Sequence, residues 1–132
     1  GWYAMALVDV LDFIPEDHVK RSDIITILDR LATALTKFQD EKTGVWYQVV
    51  DQGDRKGNYL ESSASCMYVY AMVKGVKKGY LDPIFLEVAK KGYAGILEQF
   101  IEIDNKNLTN IHKGCSVAGL GGNPYRDGFV PG

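Results

Sequence analysis

The sequence predicts an all-α fold of helical hairpins set as an inner and an outer ring. Three observations carry that prediction. Four segments have helical periodicity, and they alternate between helices that are apolar on nearly every side and helices with one polar face. The connections alternate too, between links of a few residues and links of roughly 20. The two apolar helices begin near Trp2 and near Ser62, an offset of roughly 60 residues in arrangement but not in sequence.

The first helix is expected over Trp2 to Ile14 (WYAMALVDVLDFI), where only Asp9 and Asp12 are charged, so it reads as buried around most of its circumference. The second, Asp17 to Gln39, places Ile24, Leu28, Leu31, Leu35 and Phe38 on one stripe and most of its charges off it. One face should therefore meet water. The third, about Ser62 to Lys78, is small and apolar until lysines appear in its last turn, where they suit the helix dipole. The fourth, Pro83 to Ile103, opens on Asp82 as N-cap and Pro83 at the first helical position, and lines up Phe85, Val88, Ala89, Ala94, Leu97 and Phe100.

The short links, Pro15 to Asp17 and Gly79 to Asp82, join inner to outer helices. The long link from Asp40 to Glu61 and the long segment after Asp104 both emerge where the inner helices begin, so both should lie at one end. Two inner helices cannot close a ring, which makes the chain part of a larger ring; the alternative is a complete four-helix bundle.

The chain has 132 residues, 46% hydrophobic and 24% charged, with a formal net charge of −2, a soluble globular balance with no basic field for a phosphate backbone. Nucleic acid is not an expected partner. Neither is a membrane, because the longest apolar stretches fall short of the roughly 20 residues a span requires. Cys66 and Cys115 match no C-x-x-C pattern, and the two histidines have no metal-ligand spacing, so no metal is expected. Reading both cysteines as free thiols favours the cytoplasm over export, although a signal peptide cannot be judged from a chain that begins at Gly1.

Two segments could carry chemistry. The loop GVWYQVVDQGDRKGNYLESSAS, Gly44 to Ser65, holds Trp46, Tyr47 and Tyr59, and large aromatic residues in a connection need either a core or a ligand face. Gln48, Asn58 and Glu61 between them supply amides and a carboxylate, the pairing by which a sugar is bound through its C–H faces and hydroxyls. The other reading is an aromatic loop packed over helix ends. Glu61, Ser62, Ser63 and Ser65 stand where the third helix starts, so they serve either as its cap or as a recognition site for anions and hydroxyls. The second segment, NIHKGCSVAGLGGNPYRDG, Asn110 to Gly128, offers His112 and Lys113 for a carboxylate or a proton transfer. Its glycines, Gly114, Gly119, Gly121 and Gly122, satisfy no phosphate-loop pattern, and Ser116 lies outside any G-x-S-x-G elbow.

Three blocks, GWYAMALVDVLDFIPEDH, GVWYQVVDQGDRKGNYLESSASCMYVYAMVKGVKKGYL and IHKGCSVAGLGGNPYRDG, resemble in that order the unsaturated rhamnogalacturonyl hydrolases of glycoside hydrolase family 105. The unsaturated glucuronyl hydrolases are a more distant likeness. The resemblance implies an (α/α)6 barrel with its site at the mouth, of which residues 1–132 form the C-terminal part of a single domain. It implies an aspartic acid that protonates the double bond of a 4,5-unsaturated galacturonyl residue in a pectin-derived oligosaccharide, with no cofactor. Those aspartates precede the block W-x-R-x-x-G-W, of which only Gly1 and Trp2 are present, so no catalytic residue is assigned here. Trp2 matches the tryptophan lining the sugar site, and Lys113 falls in the H-K-G-C block expected to contact the uronate. The substrate-binding set is then Trp2, Trp46, Gln48, Tyr59, Glu61, His112 and Lys113. Beyond R-D-G the chain departs from the family's Tyr-rich continuation and reads Phe129-Val130-Pro131-Gly132. Two rivals to this function are a non-enzymatic helical-repeat scaffold and another toroid glycosidase using Glu61 or Asp51 as acid or base.

Overall fold

The computed structural model describes residues 1–115, 120–121 and 126–127. The calls on Ser116, Gly119, Gly122 and the Phe129–Gly132 tail lie outside them. Four helices, α1 (Trp2–Val10), α2 (Arg21–Lys37), α3 (Ser62–Lys77) and α4 (Phe85–Phe100), are followed by two short antiparallel strand pairs, β1 (Ile101–Ile103) with β2 (Thr109–Ile111), and β3 (Leu120–Gly121) with β4 (Arg126–Asp127).

α1 and α3 lie side by side and run the same way. Gly1 abuts Met67 and Ala64 near the start of α3, while Asp9 and Asp12 near the other end meet Lys74 and Lys78. Lys74 bridges both carboxylates, at 2.7 Å to Asp9 and 2.6 Å to Asp12, and those contacts raise its pKa and depress theirs. α4 returns along α3 after a short turn, as expected of a hairpin. Asp82 acts within that turn, its carboxylate accepting from the Ile84 N–H at 2.8 Å.

Several expected boundaries move. α1 ends at Val10, not Ile14, because Asp12 and Phe13 tighten into i→i+3 bonds and the Arg21 guanidinium takes the carbonyls of Leu11 and Ile14 at 2.7 and 2.5 Å. α2 begins at Arg21 because the residues before it close separate turns, His18 N donating to Pro15 O and Arg21 N to His18 O. α4 stops at Phe100, since Ile101, Glu102 and Ile103 enter a strand pair. The turn of that hairpin is closed by the Asp104 carboxylate, which accepts from Lys106 N and Leu108 N, and by Asn107 at φ 60°.

The core gathers Ala4, Leu7, Val8 and Leu11 of α1, Leu28, Ala32 and Leu35 of α2, Val69 and Met72 of α3, and Phe85, Ala89, Ile96 and Phe100 of α4. Trp46 lies among them. α4 buries Gly92 and Gly95 where Ala94 and Leu97 were expected, and both glycines permit close approach. A Cβ on Gly92 would meet Val69 at 2.7 Å and the Trp46 ring at 3.2 Å, and one on Gly95 would collide with the Thr43 carbonyl oxygen. α1 is not buried all round. Its second apolar stripe, Trp2, Ala6, Val10 and Phe13, faces outward, with Trp2 77% and Phe13 84% exposed. No helix among the described residues is long and apolar enough to cross a membrane.

Candidate functional site

Both long segments return to the end where α1 and α3 begin, as their lengths suggested. The first builds a floor there. Tyr47 pairs with Leu60 in an antiparallel bridge, Gln48 N donates to Tyr59 O at 2.8 Å, and Glu61 N donates to Trp46 O at 2.9 Å. The Asn58 side chain braces the loop from within, accepting from Val49 N and donating to the carbonyls of Val49 and Gln52.

Trp46 does not line a site. Its side chain is wholly buried, its indole N–H donates to Leu35 O at 2.8 Å, and its ring meets Tyr68 edge-on at 5.4 Å between centroids. A sugar could reach that face only by displacing the core, which corrects the expectation of an aromatic platform at this residue. The packing reading of the loop holds for Trp46.

Glu61 is likewise no direct ligand for substrate. It is 3% exposed and caps α3, its carboxylate accepting from Ser63 N at 3.1 Å, Ser63 Oγ at 2.7 Å and Ala64 N at 2.6 Å. It also accepts from Cys115 N at 3.0 Å, a donor on the second long segment. Burial alone would raise its pKa, but the hydrogen bonds from Cys115, Ala64 and Ser63 outweigh burial and hold it below the usual carboxylate range. An acid that must carry a proton is therefore not built here, which also argues against Glu61 in an ordinary glycosidase pair. Ser65 Oγ donates to Glu61 O and accepts from Trp46 N, so this serine too is occupied by the frame.

Tyr59 is half-buried beside the cap. Burial, a hydrogen bond with the Cys115 thiol and the Glu61 charge push its hydroxyl up to about 12, keeping it neutral and able to donate. Cys115 was not singled out from the sequence, because a backbone N–H partner 54 residues away leaves no local signal. Both cysteines are free thiols. Burial raises the pKa of Cys66, and the nearby Glu61 charge adds to it.

The basic pair divides. The His112 imidazole Nε2 lies 2.6 Å from the Glu102 carboxylate, so it faces the strand pair. Lys113 stays exposed at the end where α3 begins, its carbonyl accepting from Ser62 N at 3.1 Å and its ammonium 6.0 Å from the Phe100 ring centroid. Trp2 projects into solvent from the start of α1 at this same end. The structure thus collects Trp2, Tyr59, Lys113 and the backbone of Gln48 around the openings of α1 and α3. Trp46 and Glu61 lie beneath them as support.

Residues 1–131 match the family described as Glycosyl Hydrolase Family 88. A solved glycoside hydrolase from family 105 of C. acetobutylicum is 50% identical and superposes with a TM-score of 0.90 over 97% of this chain, which corresponds to 36% of that protein. A possible family 105 member from Salmonella enterica is 28% identical with a TM-score of 0.75, over 89% of this chain and 29% of the other. The 24.9 kDa protein in picA locus of Rhizobium radiobacter is 35% identical over 134 residues, covering 97% of this chain and 57% of that protein. The chain therefore spans a little over half of this curated relative and about a third of these solved ones.

Proposed function

Because the chain belongs to Glycosyl Hydrolase Family 88, with family 105 proteins among its solved relatives, we propose that it forms part of an unsaturated rhamnogalacturonyl hydrolase. Its residues 1–132 supply the C-terminal hairpins of one (α/α)6 barrel, and Ala6, Val10 and Phe13 of the open stripe are the surface on which a further hairpin of that barrel packs, with Trp2 at the end of the stripe left to the site. The observation that carries the reading is the convergence of both long segments on the end where α1 and α3 begin, with Trp2 and Lys113 exposed there.

In this reaction a carboxylic acid delivers a proton to C4 of the 4,5-unsaturated galacturonyl ring, and water adds its hydroxyl at C5. The resulting hemiketal opens and the aglycone, rhamnose or a rhamnose-ended oligosaccharide, leaves from C1. The driving step is general acid catalysis on an enol ether. This chain contributes recognition: the Trp2 ring as a stacking face, the Tyr59 hydroxyl as a neutral donor, and the Lys113 ammonium as partner of the uronate. The acid itself is assigned to the part of the barrel preceding Gly1, in keeping with an ionised Glu61.

The test incubates the complete protein with the unsaturated galacturonyl-rhamnose disaccharide and follows loss of the conjugated double bond in the ultraviolet alongside release of rhamnose. Both should proceed together, and the saturated disaccharide should remain intact. Cleavage of the saturated compound at a comparable rate would overturn the proposal. The 132-residue chain alone should not turn the substrate over, and activity in it would move the acid onto a residue present here.

A further inference from the structure

An N-cap needs partners only within the first turn of its helix, and Ser63 and Ala64 already provide them for Glu61. The bond from Cys115 N is additional, and it has a companion. Ser62 N, another donor that the helix start leaves without an intrahelical acceptor, goes to Lys113 O. Residues 113–115 are thus tied across the opening turn of α3 at two points, one donor and one acceptor. Lys113 itself sits at φ 60°, a left-handed conformation that a lysine rarely adopts, between the His112 N–H, which donates to Phe100 O, and its own carbonyl, which accepts from Ser62 N. The tie therefore holds Lys113 against its own preference.

We infer that Glu61 is a positioning residue. Its carboxylate straps Cys115 to α3 and thereby fixes Lys113, whose ammonium receives the carboxylate of a uronyl ligand. The inference rests on the proposed sugar site and deepens it, by naming what holds the basic contact in place. Alanine at position 61 removes the cap bonds from Ser63 and Ala64 together with the strap from Cys115, whereas a glutamine whose oxygen takes the place of Oε1 would still accept from Ser63 N and Cys115 N.

The test uses the complete protein and four variants: Glu61→Ala; Cys115→Pro, which removes the strap donor and the thiol and leaves the cap; Cys115→Ala, which removes the thiol and keeps the strap donor; and Lys113→Asn, which tolerates the left-handed conformation but carries no charge. Two quantities are measured, amide hydrogen exchange over residues 112–115, and affinity for the unsaturated galacturonyl-rhamnose disaccharide and its neutral methyl ester. Glu61→Ala and Cys115→Pro should each speed exchange and weaken the acid disaccharide about tenfold, with the ester bound as before, and Cys115→Ala should change neither. Lys113→Asn should weaken the acid to the same extent with exchange unchanged, and adding Glu61→Ala to it should weaken binding no further. Should Glu61→Ala fail to fold, Cys115→Pro compared with Cys115→Ala decides. Faster exchange with undiminished affinity for the acid would overturn the positioning role, and unchanged exchange would overturn the strap. If the unaltered protein binds neither disaccharide, the sugar site fails while the exchange data still report on the strap.

Discussion

The two long segments reach the same end of the helices and are used in opposite ways. Asp40–Glu61 is rich in aromatic and amide side chains, yet it sends Trp46 into the core and uses Asn58 to brace its own backbone. Of the segment after α4, residues 105–114 are exposed, and bonds to Phe100, Ser62 and Glu61 tie residues 112–115 to the body. The segment that looks better equipped for a sugar therefore spends its tryptophan and Asn58 on architecture, and the plainer one carries Lys113. Aromatic content in a loop reports burial or binding equally well, and a nearby helix bundle with glycines in its surface is enough to decide for burial.

Substitutions separate the two segments by size of effect. Trp46→Ala should be the most damaging, with a loss of about 3–5 kcal/mol in chemical denaturation, because it empties the centre of the core and removes the indole bond to the Leu35 carbonyl. Were Trp46 a ligand platform, stability would hardly change. Gly95→Ala should cost about 1–3 kcal/mol, since the added methyl meets the Thr43 backbone rather than a side chain that can swing aside.

Glu61→Ala comes next, at about 0.5–2 kcal/mol near neutral pH, the usual range for a lost cap. Its pH dependence has a definite sign. The folded-state pKa lies below the ordinary 4.5, so the stabilisation is complete above that value and disappears as pH falls through the folded pKa. The gap between the unaltered protein and Glu61→Ala should therefore narrow on acidification in urea titrations. Least of all, His112→Gln should cost under about 1 kcal/mol, because the Glu102 pair is exposed on both sides. A large loss there would mean that the second segment is as structural as the first.

The helices and their pairing were legible because period and capping are local. Leu28 and Leu35 fall on the expected stripe of α2, and Asp82 opens the turn into α4. α1 shows the limit. An apolar circumference reads as buried on all sides, but burial depends on what neighbours are present, and the described residues cover only the Ala4, Leu7, Val8 and Leu11 face. The strand pair at Ile101 was hidden because its partner lies beyond a turn set by Asp104, and the apolar run of α4 continues without a break into it. At the site, Trp2 emerged through family resemblance, and Lys113 through both its pairing with His112 on a loop and that resemblance. The Glu61 to Cys115 bond joins two distant segments through a backbone N–H, for which residue identity gives no sign.

The division of labour between the segments is tested most directly by a hydrogen-exchange footprint of the complete protein with and without the unsaturated galacturonyl-rhamnose disaccharide, under conditions where turnover is blocked by removal of the catalytic acid. Ligand should slow exchange at the start of α1 around Trp2 and over His112 to Cys115, and leave the amides from Val45 to Tyr47 unchanged. Protection centred on Trp46, with residues 112–115 unaffected, would contradict the account and return the binding role to the first segment.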